Sequence, residues 1–356
     1  MAQIHGTIGS LSQLLLKFKQ DNITFIDTLE DIISFNNDFE NRLMDIKEET
    51  RKSLLKYEDE LKEKIINIPT EYDARVKQRE NSLGAEKNRI DSLINLYSIA
   101  TNNVFLRLFN FYKRYTLNKR KNILFTQFEE EVRRLLKNMN RLVSSTKQDL
   151  QYTEEFFDTI LEDRSRSNST HLFTAKRIID ENNFTLLGAI GEQKALDELK
   201  RLPDTYIIIN DFRYEFKSAL HKKNTDEWIR SIQADHLVIG PSGVFVVETK
   251  NWSNNSIQSS DLYSPVQQVQ RTSYAVFMLL NRIVANGLSL LNHHWGAIQV
   301  PVKNIILMVN KKPSQEFQHV KILTLNEICK YIRYFKPIFD HDEVHEIANI
   351  LLSKYY

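Results

Sequence analysis

Asp235, Glu248 and Lys250 are the residues whose types and spacing could do chemistry. They lie in Gln233-Ala234-Asp235-His236-Leu237-Val238-Ile239-Gly240-Pro241-Ser242-Gly243-Val244-Phe245-Val246-Val247-Glu248-Thr249-Lys250, which reads as two apolar strands joined by a tight turn. If Gly240 and Gly243 flank Pro241-Ser242, then Ile239 faces Val244, and the same register sets Asp235 opposite Glu248. Directly opposed residues of an antiparallel pair have Cβ atoms roughly 4.5–5.5 Å apart on one face. Lys250, two residues beyond Glu248, points to that face as well. The intervening residues are apolar on both faces, which suits a sheet covered by helices on each side. Two carboxylates and a lysine at the rim of such a strand pair are costly unless something binds them. A hard divalent cation held by carboxylate oxygens is the natural occupant; the competing reading is a structural ion pair at a strand end. His236 alternates away from Asp235 and reads as packing or as support behind the site.

The elements that must position these residues follow from composition. At 356 residues the chain allows one large domain or two ordinary ones. A net charge of +2 excludes an argument for nucleic-acid binding from bulk charge and leaves only local patches. The single cysteine, Cys329, excludes an internal disulfide framework and a cysteine-rich zinc site, and fits a reducing compartment. The N-terminus lacks the basic start and apolar core of a signal peptide. No apolar run approaches the ~18–20 residues that span a bilayer. The expectation is a cytoplasmic protein without a membrane partner. Up to Leu187 the only glycines and prolines are Gly6, Gly9, Pro69 and Gly84; the other twelve follow. Few breakers mean long helices and many mean strands and turns, so two domains are expected.

In the first half the apolar spacing is three-four. Phe25, Leu29, Ile32, Phe39, Leu43 and Ile46 form one seam, which Tyr57, Leu61 and Ile65 resume after a slip, with Asn36 and Thr50 as polar interruptions. Charged flanks make this a coiled coil or long helical hairpin. Pro69 is expected to end the first helix. A second helix then runs from about Glu71 to the Lys113–Lys121 region, and a third from about Ile123 to Leu161. Asp163 to Thr170 reads as a polar linker. The domain reading is a helical domain over 1–165, a linker over 166–184 and a second domain over 185–356. Val104 to Tyr112 is too apolar for an isolated surface helix, so it is expected to pack on other helices or on a second subunit, and a homo-oligomer through the helical half is expected. Lys113, Arg114, Lys119, Arg120 and Lys121 cluster beside Tyr112 and Tyr115; they are either a phosphate-backbone contact or a solvated loop.

In the second half Gly188-Ala189-Ile190-Gly191-Glu192 opens a helix whose glycines allow close approach to another element. Tyr206 to Asn210 is a short buried strand, and a polar segment from Glu215 to Arg230 leads to the hairpin. Pro265 starts a helix. Asn304 to Val309 and Val320 to Thr324 are strands, followed by helices from about Leu325 to Tyr334 and after Asp340. His341 and His345 have helical spacing without a third ligand, and His293-His294 reads as ordinary loop contacts.

This order, with Gly188 to Glu192, Asp235, Glu248-Thr249-Lys250-Asn251 and Pro265-Val266-Gln267-Gln268, resembles the nuclease-related domain, NERD, of the PD-(D/E)XK nuclease superfamily over about residues 185–310. The resemblance implies a restriction-endonuclease-like α/β sandwich with a central mixed sheet behind an α-helical, coiled-coil-like domain. It implies Mg²⁺-dependent cleavage of phosphodiester bonds, of DNA and sometimes RNA, with Mn²⁺ as a substitute. Asp235 and Glu248 would hold the metal with the Thr249 carbonyl, and Glu192 would complete the site. Lys250 would orient water or stabilise charge, and Gln268, or Gln270 in its place, would position nucleophile or phosphate. Arg271 joins the basic cluster as a candidate nucleic-acid contact. The loop Trp252 to Asn255 lacks the glycine often seen in the family, and Ala234 stands where a larger apolar residue is common. The helical half would mediate oligomerisation or sense a partner, as suits a bacterial defence effector against phage or plasmid DNA. The alternatives are a nucleic-acid-binding scaffold without cleavage and an RNase.

Overall fold

The computed structural model describes residues 1–223, 225–252, 263–285, 292–293, 296–297 and 299–354. The chain divides into two compact units, one of Met1–Phe39 with His171–Tyr356, the other of Glu40–Thr170.

The first unit is built on a six-stranded mixed sheet. Its strands are β1 (Gln3–His5), β2 (Ile207–Lys222), β3 (Glu227–Gly240), β4 (Gly243–Lys250), β7 (Val302–Met308) and β8 (Lys321–Thr324), in the order β1-β2-β3-β4-β7-β8. The short β5 (Asn292–His293) and β6 (Gly296–Ala297) pair with each other. β2, β3 and β4 run antiparallel; β1 lies parallel to β2, and β7 and β8 follow parallel to β4. Alternate residues of the central strands go to opposite faces. Ile208, Val238, Phe245 and Val247 pack with Ala195 and Leu199 of α6 (Asn183–Leu199) and with Ile328 and Ile332 of α8 (Leu325–Tyr334). Ile207, Leu237, Ile239, Val244 and Val246 pack with Val269, Val276 and Leu280 of α7 (Tyr263–Ala285) and Ile347 of α9 (His341–Leu352). Each such side chain contributes about 1.5–3 kcal/mol by leaving water, which is why apolar residues on both faces require helices on both faces.

Two expectations need correction here. The polar segment from Glu215 to Arg230 is the far end of the β2–β3 hairpin, with a register shift between Glu215 and Leu220. Leu220, Ile229 and Ile232 are buried within it, and Trp228 stacks on His221 at 4.5 Å. Its outward side chains are polar because one face is solvated. The first 39 residues, read as part of the helical half, pack in the sheet unit. Three residues of β1 extend the sheet, α1 (Gly9–Gln20) follows, and the Asn210 side chain donates to the Gly6 carbonyl at 3.2 Å. A three-residue strand carries no periodicity that could announce it.

In the second unit two long helices run antiparallel. α2 (Leu29–Leu96) continues through Pro69, and α3 (Val104–Glu155) returns along it. Arg79 meets Glu131 at 2.9 Å, Arg120 meets Glu86 at 3.2 Å and Lys121 meets Asp91 at 2.6 Å. The two-helix hairpin replaces the three helices expected. Its bend lies at residues 97–103 rather than near Lys113–Lys121, and Asn103 caps α3 by accepting from the Phe105 and Leu106 amides. Leu54, Leu61 and Ile68 bury at seven-residue steps, with Thr50 buried before them and Glu58 between the first two, so the seam does not slip to Tyr57. The expected linker is helical too: α4 (Phe157–Asn168) is followed directly by α5 (Thr170–Glu181). There the Ser169 and Thr170 hydroxyls donate back to the Ser165 and Arg166 carbonyls. Such polar hydroxyls look like loop residues in sequence but are satisfied inside the helix.

Pro69 remains helical because packing along the hairpin on both sides of it outweighs a local penalty of about 3 kcal/mol. Pro69→Ala is therefore expected to raise the stability of the full chain by on the order of 1–3 kcal/mol, read as a higher midpoint in thermal unfolding followed by circular dichroism.

Candidate active site

The hairpin that carries the candidate residues has the register its sequence implies. Gly240 pairs with Gly243, Ile239 with Val244, and so on to His236 with Val247; one further step sets Asp235 across from Glu248. Gly243 holds φ at +111°, and a Cβ there would collide with the Pro301 carbonyl, so only glycine starts β4 in this way. The turn thereby fixes where both carboxylates end up.

At the strand ends Asp235 Oδ2 accepts from the Thr249 backbone amide at 2.6 Å. Glu248 is buried; its Oε1 accepts from Lys250 Nζ at 2.6 Å and its Oε2 from Gln268 Nε2 at 3.0 Å. Asp235, Glu248 and Lys250 thus share the face covered by α7, where Gln268 sits in the first turns. Gln270 instead donates to the Gln318 carbonyl at 3.4 Å. Two residues apart on a helix, the two glutamines point to different sides, and the geometry brings only Gln268 to the carboxylates. Gln268→Ala is expected to lower catalytic turnover about 10- to 100-fold, while Gln270→Ala leaves it unchanged; initial rates on a defined substrate compare them.

Glu192 arrives from α6, on the other face of the sheet. Gly191 permits this, because its α-carbon lies where a Cβ would stand 2.7 Å from that of Asn251, just past β4. The Glu192 carboxylate accepts from the Ser10 hydroxyl at 2.5 Å and the Ser10 amide at 3.4 Å. It thereby satisfies free N–H and O–H groups in the first turn of α1, where a negative charge is favoured. Ser10 had no signal in the sequence, since it lies 182 residues away. Asn251, part of the resemblance, was given no role there, and Asn310 was not singled out. Asn251 donates to the Leu187 carbonyl at 2.7 Å and accepts from Asn310 at 3.1 Å, which ties the end of β4 to α6 and to the segment after β7.

The electrostatics reflect crowded negative charge. Burial first, then repulsion from Glu248 and Glu192, pushes the Asp235 carboxyl well above its usual range, against the pull of the Thr249 amide and Lys250. Burial likewise raises Glu192, opposed by the two Ser10 hydrogen bonds and reinforced by Asp211 and Glu248. An added cation would relieve both. Among the described residues no three His, Cys, Asp or Glu side chains close on one point as a metal cage. Asp235 and Glu248 could offer two carboxylates, and Thr249 a backbone carbonyl, to a hard cation that keeps several waters, such as Mg²⁺. The carboxylates, Ser10, Lys250 and Trp252 line an open cavity of about 770 Å³.

His236 is buried, Nδ1 bonded to Asn210 Oδ1 at 2.8 Å; burial lowers its pKa to about 4, so it is neutral and serves the scaffold. Of the candidate nucleic-acid contacts, Arg120, Lys121 and Arg271 are engaged with Glu86, Asp91 and Glu227, and Lys113 lies over the Phe109 ring. Lys113, Arg114 and Lys119 stand on α3 rather than in a loop. His341 and His345 touch each other on α9. His294 and Ser253 to Asn255 lie outside the described residues.

Residues 187–309 match the family model of the nuclease-related domain, NERD. That span takes in Glu192, Asp235, Glu248, Lys250 and Gln268 and leaves out the helical unit. No curated protein and no solved structure matches the chain.

Proposed function

From the premise of a nuclease-related domain over residues 187–309, we propose that the protein is a divalent-cation-dependent nuclease hydrolysing phosphodiester bonds of DNA. The observation that carries this reading is the convergence of Asp235, Glu248, Lys250 and Gln268 at the open end of a paired β-hairpin. Asp235 and Glu248 would hold Mg²⁺, or Mn²⁺ in its place, with the Thr249 carbonyl. Such an ion polarises phosphate oxygens and acidifies water when bound. Lys250 places its ammonium group where charge would develop on the phosphate and neutralises Glu248 until substrate arrives. Gln268 fixes the orientation of Glu248. Glu192 adds negative charge from the opposite face and is itself held by Ser10. The helical unit carries no comparable constellation, and its part in this reading is assembly or contact with a partner.

The test is a substrate panel of plasmid DNA, single-stranded DNA and RNA, incubated with the purified full chain and Mg²⁺ and then with chelator. Cation-dependent scission of DNA is the expected result. Cleavage of RNA alone would move the substrate class. Retention of nucleic acid without scission under Mg²⁺ or Mn²⁺ would replace catalysis by binding.

A further inference from the structure

The cavity beside the carboxylates has an aromatic wall with no part in the chemistry described so far. Phe184 stands in the first turn of α6 with 91% of its surface exposed, and Leu187, one turn on, is 42% exposed. Both line the cavity of about 770 Å³ that also takes in Asp235, Glu248 and Lys250, and the half-buried Trp252 lines it from just past β4. Glu192 lies eight residues further along the same helix, about 12 Å from Phe184 along its axis. A single exposed phenylalanine is ordinary on a protein surface, but this one borders the place where a substrate of the site must lie. The two walls are tied together. Asn251 donates to the Leu187 carbonyl at 2.7 Å, and Asn310 donates to the Trp252 carbonyl at 3.0 Å and to Asn251 at 3.1 Å.

The charges of the same cavity bear on which form of DNA it takes. Duplex DNA is held chiefly by lysines and arginines on its phosphates. Among the described residues that line this cavity, Lys250 is the one lysine or arginine; it is bonded to Glu248 at 2.6 Å, and three carboxylates stand around it. Affinity must then come largely from the bases. In a duplex the base faces are hidden in the stack, and a base shows them only by leaving it. An unpaired base has its faces free to lie on an aromatic ring. On the nuclease reading above, we infer that the site takes single-stranded or locally unpaired DNA, with a base close to the scissile phosphate stacked on Phe184. Leu187 and Trp252 extend the apolar surface that this base meets.

The test gives the full chain, with Mg²⁺, one labelled oligonucleotide as a single strand and again annealed to its complement. The single strand is expected to be cut at least about tenfold faster. Supercoiled plasmid remains a substrate, because negative supercoiling helps open base pairs. Phe184→Ala is expected to raise KM for the single strand about ten- to hundredfold with kcat little changed, and Phe184→Trp to keep the wild-type KM. At so exposed a position neither change disturbs folding. Equal cutting of duplex and single strand, or a wild-type KM in Phe184→Ala, overturns the inference and leaves the nuclease reading standing. Fluorescence anisotropy of the labelled single strand in chelator separates the two in the other direction. If the wild type cuts nothing but binds the strand, and Phe184→Ala binds it about ten- to hundredfold more weakly, the nuclease reading falls and the stacking platform stands. Binding that is absent, or equal in both proteins, overturns the platform.

Discussion

Asp235→Asn is expected to reduce cleavage by on the order of a thousandfold or more, while the cation-free protein stays as stable as wild type or becomes more so. The two halves of this result come from one geometry. Asparagine keeps an oxygen to accept from the Thr249 amide, so the hydrogen bond at 2.6 Å has a replacement. It removes a carboxylate that burial, Glu248 and Glu192 all push toward the protonated form. Were Asp235 a structural ion-pair partner, its loss would leave an uncompensated charge and destabilise the fold. In a cation site without its cation, the loss instead relieves repulsion. The pH dependence has the same origin. Asp235 is more readily protonated in the folded than in the unfolded chain, so as pH rises above the unfolded value near 3.8 the unfolded state ionises first. Over that window the folded state binds more protons, and stability falls with rising pH. Thermal unfolding of the cation-free wild type and Asp235→Asn across that range would show the difference between the two shrinking as the pH is lowered.

Lys250→Met is expected to lower turnover about 100- to 1000-fold without weakening cation binding. Methionine keeps the apolar stem but lacks the ammonium group that bonds Glu248 at 2.6 Å. That ammonium competes with any cation for Glu248, so Mn²⁺ should bind Lys250→Met at least as tightly as wild type, measured by calorimetric titration. Loss of both turnover and Mn²⁺ binding would reduce Lys250 to a prop for Glu248. Asp235→Asn and Lys250→Met thus separate along two axes: the first loses the ion and the reaction, the second the reaction alone.

What could be read beforehand depended on how local the physics was. The register of Asp235 and Glu248 follows from a two-residue turn between two unbroken apolar runs, all contained in eighteen residues, and it stands in the structure. The strand from Val320 to Thr324 and the helix from Leu325 were legible because the apolar pattern changes period there, and Thr324 with Glu327 closes a capping box at the junction. Pro69 misled because a local rule met a hairpin whose packing runs past it. The choice between Gln268 and Gln270 needed the rotation of α7 against β4, which no spacing supplies. Ser10 needed the chain to return across 182 residues. The aromatic bend was legible as apolar surface too large for a lone helix; that Phe105, Leu108 and Phe111 stand exposed was not.

The end of the β3–β4 hairpin is expected to cut phosphodiester bonds. The most direct measurement incubates one plasmid preparation with full-length wild type, Asp235→Ala and Lys250→Ala, all checked for folding, with Mg²⁺ and again after chelation. Nicked and linear products from wild type alone, disappearing with chelator, are the predicted result. Equal cleavage by all three proteins, or cleavage that survives chelation, would contradict it.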